Sequence, residues 1–243
     1  MRIPRIYQDV SLAEGQVILV SAEAAHHMIN VLRMKMGQPL VLFNGKGGYF
    51  DAIIQGVEKR RVEVIVGKQH SEEYESPLKI TLAQGISRGQ RMDYTLQKAV
   101  ELGVSEVVPL ICQYGNVRLD DNQQVKRLDH WKKIIIGACE QSGRNRLPSI
   151  CAPVQFNDWI NIQNEGLKIM FHPAGQSTLN QCSPVDNHVV LVAGPEGGFD
   201  ESEVELAQKN GFCTITIGPR VLRTETTALV AITACQVLWG DLC

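Results

Sequence analysis

The first third of the chain is a series of short β-branched runs separated by turn residues. Its apolar segments are QVILV, PLVLF, YFDAII and RVEVIV, and turn signals such as NGKGG at 44–48 divide them. One helical segment, AEAAHHMINVLR, follows Ser21, whose hydroxyl is a good helix cap. The pattern predicts a small β-barrel over residues 1–72, and the polar stretch HSEEYESP predicts a domain boundary after it.

From Leu78 onward the pattern changes to strands that alternate with helices. The predicted strands are LKITLAQ, VSEVVPLI, LKIMF, HVVLVAG and CTITIG, and the last two have the apolar character of central strands. The segment MDYTLQKAVEL predicts a helix with Gly103 as its C′ residue, and apolar side chains recur at helical spacing from Val125 to Cys139. This alternation predicts an α/β domain over residues 77–243, with a parallel sheet covered on both faces.

Composition places the chain among ordinary globular proteins, since 44% of its residues are hydrophobic and 21% are charged. No apolar run approaches the roughly 18 residues that a membrane span needs. The first ten residues, MRIPRIYQDV, lack the apolar core of a secretory signal. We therefore expect a cytoplasmic protein without a membrane partner.

The cysteines and histidines argue against a metal site or a disulfide framework. The seven cysteines are scattered singly, without a C-x-x-C pair, which is typical of reduced thiols that pack as small hydrophobes. His26 and His27 are adjacent, but no second pair at ligand spacing accompanies them. We expect no bound metal.

Charge is distributed unevenly along the chain, although the net charge is only −2. Residues 118–146 hold seven Lys or Arg against four acids, whereas residues 186–210 hold six acids and one lysine. The first stretch could form a basic face for nucleic acid, and a solvated helix surface explains the same counts.

Three predicted strand ends carry unusual segments, and ligands of open α/β sheets bind at the carboxyl ends of strands. These segments are MFHPAG at 170–175, GPEGGFD at 194–200 and GPRVLRTET at 218–226. A fourth segment, EQSGRNRLP at 140–148, is basic and contains glycine, but a capped, solvated helix end accounts for it equally well.

The GPEGG segment allows two interpretations. It matches neither common phosphate-binding motif, Pro195 lacks an N–H donor, and Glu196 brings a negative charge, so a nucleotide phosphate is disfavoured. The adenosine end of a sulfonium cofactor suits it better, because glycines permit close approach and backbone groups can bond the adenine. The alternative is a tight turn in which Asp200 caps a helix and Glu203 completes a capping box.

The GPRVLRTET segment contains more charge than a helix start requires. Thr224 is a good N-cap, and Glu225 in the first turn complements the helix dipole. Arg220 and Arg223 are not explained in this way, because cations are unfavourable at a helix N-terminus. We expect an anion nearby, which could be an RNA phosphate, a cofactor carboxylate or Glu225 itself.

Taken together, these segments resemble one family, the bacterial 16S ribosomal RNA (uracil-N3)-methyltransferases of the SPOUT superfamily. The matching pieces are RIPRIY, HHMINVLRMKMGQPLVLFNGKGGYFDA, SRGQRMDYTLQKAVELGVSEVVPL, ACEQSGRNR, GPEGGFDESEV and GPRVLRTETTALVAI. Residues 151–187 carry little family signal apart from the strand end KIMFHP. The resemblance implies a PUA-like RNA-binding β-barrel over 1–72 and a SPOUT methyltransferase domain with a deep trefoil knot over 77–243. It also implies a homodimer that acts on 16S rRNA within the small ribosomal subunit.

The resemblance also implies a mechanism, in which a methyl group moves from S-adenosyl-L-methionine to N3 of a uridine. Arg223 is the expected catalytic cation, and Glu225 is the expected base or the group that orients Arg223, with water as the alternative base. His172 is also a candidate base, but we expect it only to line the cofactor site. The predicted cofactor-binding residues are Met170, Phe171, His172, Pro173, Gly194, Pro195, Glu196, Gly197, Gly198, Ile217, Gly218, Pro219, Leu222 and Thr224.

Five arginines are the predicted RNA contacts, although each alone could be an ordinary surface residue: Arg2, Arg5, Arg33, Arg88 and Arg144. Two other functions stay open at this point. One is 2′-O-ribose methylation, which SPOUT relatives also perform, and the other is RNA binding without catalysis.

Overall fold

The computed structural model describes residues 3–115, 120–162, 165–175 and 177–242. The chain forms two compact units. The first comprises Met1–Glu75 and Cys139–Leu147, and the second comprises Ser76–Ala138 and Pro148–Cys243. Cys139–Leu147 thus groups with the N-terminal unit, although it lies inside the range 77–243 that the sequence pattern assigned to the second domain.

The first unit is built on a five-stranded sheet in the order β1-β3-β4-β5-β2. Its alternating residues point inward and form an apolar core that includes Leu42, Ile54 and Val64. Ser21 caps the first helix by accepting a hydrogen bond from the Ala24 N–H, as predicted. The elements are β1 (Arg5–Tyr7), β2 (Val17–Leu19), α1 (Ala22–His26), a π-helical turn (His27–Val31), β3 (Pro39–Phe43), β4 (Tyr49–Glu58) and β5 (Arg61–His70).

The segment Cys139–Leu147 belongs to the first unit because it binds the chain just after β5. The Asn145 side-chain amide donates to the Glu72 carbonyl at 2.7 Å, and the guanidinium of Arg146 lies 3.4 Å from the Glu73 carboxylate. Arg144 is only 5% exposed and forms an ion pair with Glu75. Three consecutive residues therefore hold this stretch, so the segment is not a solvated helix end.

The second unit contains the predicted parallel sheet, in the order β12-β10-β11-β6-β7-β8, with β9 also paired to β7. Every residue of the central strand β11 is buried, as its apolar run predicts. The elements are β6 (Lys79–Gly85), α2 (Gln90–Glu101), β7 (Glu106–Ile111), α3 (Asp121–Ser142), β8 (Ser149–Ile150), β9 (Val154–Gln155), α4 (Phe156–Ile162), β10 (Leu167–Phe171), a 3-10 turn (Leu179–Gln181), β11 (His188–Ala193), α5 (Glu201–Lys209), β12 (Cys213–Ile215) and α6 (Thr224–Trp239).

The segments predicted as helices are helical in the structure, but one residue predicted on a buried helix face is exposed. The amphipathic helix α2 buries an apolar face that includes Leu96. Gly103 follows the helix with a φ of +86°, as expected of a C′ glycine. Val125 of α3, predicted on the apolar face, is 62% exposed, whereas Trp131 and Ile135 are buried. Among the described residues, no helix has the length and apolar character needed to cross a bilayer.

Candidate active site

The three unusual strand ends surround one cavity in the second unit. Strand β10 lies between β11 and β12, and all three are parallel, so their carboxyl ends share one edge of the sheet. The cavity measures about 490 Å³ and lies at this edge. Its walls come from Phe171–Pro173, from Gly194 and Glu196–Phe199, and from Ile215–Leu222, so the sequence pattern located it correctly.

Most of the predicted cofactor residues line this cavity. They are Phe171, His172, Pro173, Gly194, Glu196, Gly197, Gly198, Ile217, Gly218, Pro219 and Leu222. The sequence analysis did not assign several further lining residues to the cofactor, although it singled out Arg220 and the segments that contain Phe199 and Val221. These are Phe199, Ile215, Thr216, Arg220, Val221 and Thr227.

Three predicted cofactor residues do not line the cavity. Met170 is fully buried and packs in the apolar core of the sheet. Pro195 is buried against the end of β6, where a Cβ on Gly85 would lie only 2.4 Å from the Pro195 nitrogen. Only glycine therefore fits at position 85, and Pro195 acts on the site by fixing the loop.

Thr224, the third of these residues, joins the start of α6 to two strand ends. Its hydroxyl donates to the Gly194 carbonyl and accepts from the Gln84 side-chain amide at 2.9 Å. Gln84 is fully buried at the end of β6. The N-cap of α6 is Arg223, not Thr224 as predicted, because the Thr224 hydroxyl is used in this tertiary network.

The Glu196 carboxylate is held at the start of α2. Its Oε1 accepts hydrogen bonds from the Arg88 N–H and from Arg91 Nη1, both at 2.9 Å. Burial alone would raise the pKa of Glu196, but these hydrogen bonds and the Arg91 charge outweigh it and lower the pKa. Oε2 of the same carboxylate is buried without a hydrogen-bond partner, so one acceptor stays available beside the cavity.

The turn interpretation of the GPEGG segment is also confirmed. Asp200 accepts from the Ser202 N–H at 2.9 Å, and the Asp200 N–H donates to Glu203 Oε2 at 2.9 Å, which is a capping box. The segment is thus both a capped turn and a wall of the cavity, and the two interpretations do not compete.

The predicted catalytic residues lie next to the cavity, at the start of α6. Arg223 is exposed, and neither it nor Arg220 forms an ion pair with any described residue. Glu225 lies in the first turn, and its Oε2 is buried without a hydrogen-bond partner. Of the three anions considered for these arginines, Glu225 forms no ion pair with them among the described residues, which leaves an RNA phosphate and a cofactor carboxylate. Arg220, rather than Arg223, contributes directly to the cavity wall.

His172 lines the cavity as expected. Its backbone N–H donates to the Ile215 carbonyl at 3.0 Å, and its Nδ1 accepts from the Ala174 N–H at 3.3 Å. The ring is thus held by a local turn at the end of β10. Within the described part of the chain, no group of His, Cys, Asp or Glu is arranged to hold a metal ion.

The predicted RNA contacts are divided between the two units. Arg2 lies outside the described residues, and Arg88 belongs to the second unit, where it is exposed. In the first unit, Arg33 is exposed with a φ of +53°. The Arg5 guanidinium lies 5.2 Å from the ring centroid of Phe43 and 5.3 Å from that of Tyr49, and it donates a hydrogen bond to Asn145 Oδ1. Arg144 is buried in its ion pair, which argues against the predicted role in binding RNA.

The lining suits a ligand with an apolar part and hydrogen-bonding groups. Phe171, Ile217 and Leu222 supply apolar surface, and glycine-rich backbone supplies hydrogen-bonding groups. Glu196, which lines the cavity, and Glu225, which lies beside it, each have one buried carboxylate oxygen without a hydrogen-bond partner.

Comparison with known proteins agrees with this picture. The model of the RNA methyltransferase domain matches residues 74–236, and the model of the RNA methyltransferase PUA domain matches residues 20–67. The chain is 40% identical to ribosomal RNA small subunit methyltransferase E of Buchnera aphidicola subsp. Schizaphis graminum, over 99% of this chain and 98% of the relative. It is 30% identical to the protein of the same name from Bacillus subtilis, with 95% of each chain covered.

Two solved structures are similar over their whole length. A methyltransferase from Legionella pneumophila, solved with bound S-adenosylmethionine, has a TM-score of 0.97 at 43% identity, with 100% of both chains covered. Ribosomal RNA small subunit methyltransferase E from Neisseria gonorrhoeae, also bound to S-adenosylmethionine, has a TM-score of 0.92 at 39% identity with the same coverage. The chain therefore belongs to the ribosomal RNA small subunit methyltransferase E family.

Proposed function

We propose that the chain transfers a methyl group from S-adenosyl-L-methionine to N3 of a uridine in 16S rRNA of the small ribosomal subunit. The observation that carries this proposal is the cavity at the carboxyl edge of the sheet, whose mixed apolar, backbone and carboxylate lining fits that cofactor. The two similar structures with bound S-adenosylmethionine support the same assignment.

The residues that would hold the cofactor are those of the three cavity walls. Phe171, Ile217 and Leu222 would pack on its apolar parts, while the backbone of the glycine-containing segments would bond its polar edges. The partnerless Oε2 of Glu196 offers an acceptor to an N–H or O–H group. When bound, S-adenosyl-L-methionine supplies an electrophilic methyl group.

The protein's own task is to make N3 of the uracil nucleophilic. Loss of the N3 proton leaves negative charge on the two neighbouring carbonyl oxygens, and a positioned cation lowers the energy of that charge. Arg223 is exposed beside the cavity without an ion-pair partner among the described residues, so its guanidinium is available for this role. Glu225, two residues further along the chain and with a partnerless carboxylate oxygen, would accept the proton or orient Arg223.

Access to N3 sets a requirement on the RNA. Because N3 lies on the Watson–Crick edge, the target base must be unpaired or turned out of its helix. Arg33 and Arg88 are exposed and remain the strongest candidates for phosphate contacts. Arg5 is partly engaged by aromatic rings, and Arg144 is withdrawn from this proposal because it is buried.

We also propose that the protein is a homodimer, joined through α6. This helix is apolar on its outer side as well, with exposed Val230, Val237 and Leu238. A helix that is apolar all round is normally covered on all sides. The knot that the resemblance implies and a cytoplasmic location belong to the same proposal.

The test is methyl transfer from labelled S-adenosyl-L-methionine to small ribosomal subunits purified from cells that lack this protein. Nuclease digestion and mass spectrometry should recover the label as 3-methyluridine. Label on a ribose 2′-oxygen would instead assign the alternative activity of the SPOUT relatives, and cofactor binding without transfer would indicate a non-catalytic RNA-binding protein. Arg223→Ala should lower turnover while cofactor affinity holds, with the exposed Lys209→Ala as a matched loss of one positive charge.

A further inference from the structure

Tyr114 lies directly against the wall of the cavity, in the loop after β7. A Cβ placed on Gly197, which lines the cavity, would lie 2.7 Å from the Tyr114 carbonyl oxygen and 2.8 Å from the Tyr114 Cβ. The two loops are thus in backbone contact at this point. Because Gly197 has no side chain, the Tyr114 loop can approach the cavity wall this closely.

Three contacts fix the position of this loop. The Gln113 N–H donates to Glu203 Oε1 at 2.9 Å, and the Gly115 N–H donates to the Cys112 carbonyl at 2.9 Å. The Tyr114 hydroxyl donates to Asp200 Oδ2 at 2.7 Å. The ring is therefore held at both ends, by the backbone near Gly197 and by the hydroxyl at the start of α5.

The Tyr114 ring nevertheless remains open to solvent. Its residue is 51% exposed, and no aromatic ring of the described residues stacks on it. The hydrogen bond to Asp200 also raises the pKa of Tyr114 above its ordinary value, because the bond stabilises the protonated phenol beside a carboxylate. By contrast, the aromatic residues that line the cavity, Phe171 and Phe199, are buried.

An exposed and fixed aromatic ring is what an extruded base needs. RNA-binding proteins hold unstacked bases on aromatic side chains, because every base has a flat face that can stack. A ring that is already anchored loses little conformational entropy when the base arrives. Next to a methyl-transfer cavity, such a ring would replace the stacking that the uracil loses when it leaves the RNA.

We propose that Tyr114 is the platform on which the target pyrimidine, or its immediate neighbour in the RNA, stacks during methylation. The inference rests on the proposed function, since it concerns the substrate of the same site. Tyr114 acts as a substrate-positioning residue and takes no part in proton or methyl transfer. Its loop carries no recognisable motif, so the sequence pattern did not indicate it.

The experiment measures kcat and KM for undermethylated small subunits, together with S-adenosyl-L-methionine affinity by calorimetry. Tyr114→Leu removes the ring and should lower kcat/KM about tenfold, within the range that base–aromatic stacking supplies, while cofactor affinity stays within about twofold. Tyr114→Trp and Tyr114→Phe keep a ring and should stay within about threefold of the wild type. Tyr94→Leu is the matched control, because Tyr94 is 48% exposed on α2 of the same unit.

Two results would overturn the inference while leaving the function intact. One is a Tyr114→Leu protein with wild-type kcat/KM. The other is a Tyr114→Phe protein as impaired as Tyr114→Leu, which would assign the effect to the hydrogen bond with Asp200. A wild-type protein that binds no cofactor and transfers no methyl would overturn the proposed function as well, so the two failures are distinguishable.

Discussion

Replacing Thr224 with valine should loosen the junction between α6 and the cavity wall. Thr224 is 8% exposed, and its hydroxyl both donates to the Gly194 carbonyl and accepts from the Gln84 amide at 2.9 Å. Valine has nearly the same shape, so the substitution removes these two hydrogen bonds without opening a cavity. The variant therefore isolates the contribution of one buried hydroxyl.

The expected loss follows from the neighbouring donors and acceptors. A net hydrogen bond contributes about 1 kcal/mol, and a buried polar group left without a partner costs about 1–3 kcal/mol. The Gly194 carbonyl keeps a second donor, the Gln84 Nε2 at 3.3 Å, and that amide keeps the Gly85 carbonyl at 3.1 Å. Because the Gly194 carbonyl and the Gln84 amide each keep another hydrogen bond, we expect the free energy of unfolding to fall by about 2 kcal/mol.

Urea unfolding followed by tryptophan fluorescence measures this loss in the relevant unit. All three tryptophans, Trp131, Trp159 and Trp239, lie in the second unit, so the signal does not mix the two units. Thr226→Val is the matched control, because Thr226 lies exposed in the same first turn of α6. Thr224→Ser keeps the hydroxyl and should be less destabilised than Thr224→Val.

Two outcomes would refute this reasoning. The first is a Thr224→Val protein whose free energy of unfolding lies within about 0.5 kcal/mol of the wild type, the range of ordinary surface substitutions. The second is a Thr226→Val protein that loses as much free energy of unfolding as Thr224→Val, because the loss would then come from any valine at the start of α6. A concentration-dependent gain of stability with S-adenosyl-L-methionine, measured on each variant, would show whether the junction also supports the cofactor wall.

Three further predictions concern other parts of the second unit. Gly85→Ala should destabilise the protein by about 1–3 kcal/mol, because the alanine Cβ would clash with Pro195. The same clash should weaken cofactor binding measured by calorimetry, and an unchanged affinity would contradict this prediction. The pKa of Glu196 is lowered in the folded protein, so the ionised carboxylate should stabilise the fold above about pH 4.5. This stabilisation should be lost as the pH falls through the folded-state pKa of Glu196. The difference in free energy of unfolding between the wild type and Glu196→Gln should therefore shrink on acidification. In thiol titration at pH 8, exposed Cys213 should react in the folded protein, whereas Cys235, whose pKa burial raises to about 12, should react only after unfolding.

The sequence predicted the cavity well because its walls are encoded locally. Glycine and proline after an apolar strand mark a sharp turn with open backbone, and parallel strands place such turns at one edge. The capping box of Asp200 and Glu203 is likewise a short-range pattern, and it is confirmed. The parallel sheet and the type of each long helix followed from periodicity for the same reason.

The errors concern residues whose partners lie far away in the sequence. Arg144 was predicted to bind RNA, but its partner Glu75 is 69 residues away, and no local pattern reveals that pair. Thr224 has the right residue type for a helix cap, but Gln84, 140 residues away, engages its hydroxyl instead. Tyr114 was missed because an exposed tyrosine becomes informative only when the neighbouring cavity is known.

The charges around the cavity bear on which ligand it accepts. Buried carboxylate oxygens without partners, those of Glu196 and Glu225, favour a ligand that brings N–H, O–H or positive charge. Arg220 and Arg223, without ion pairs among the described residues, favour a carboxylate or a phosphate. A plain nucleotide phosphate would meet only the second requirement, and a simple cation only the first. A zwitterionic cofactor could meet both, because its ammonium N–H groups suit the carboxylate oxygens and its carboxylate suits an arginine, while an RNA phosphate would suit the other arginine.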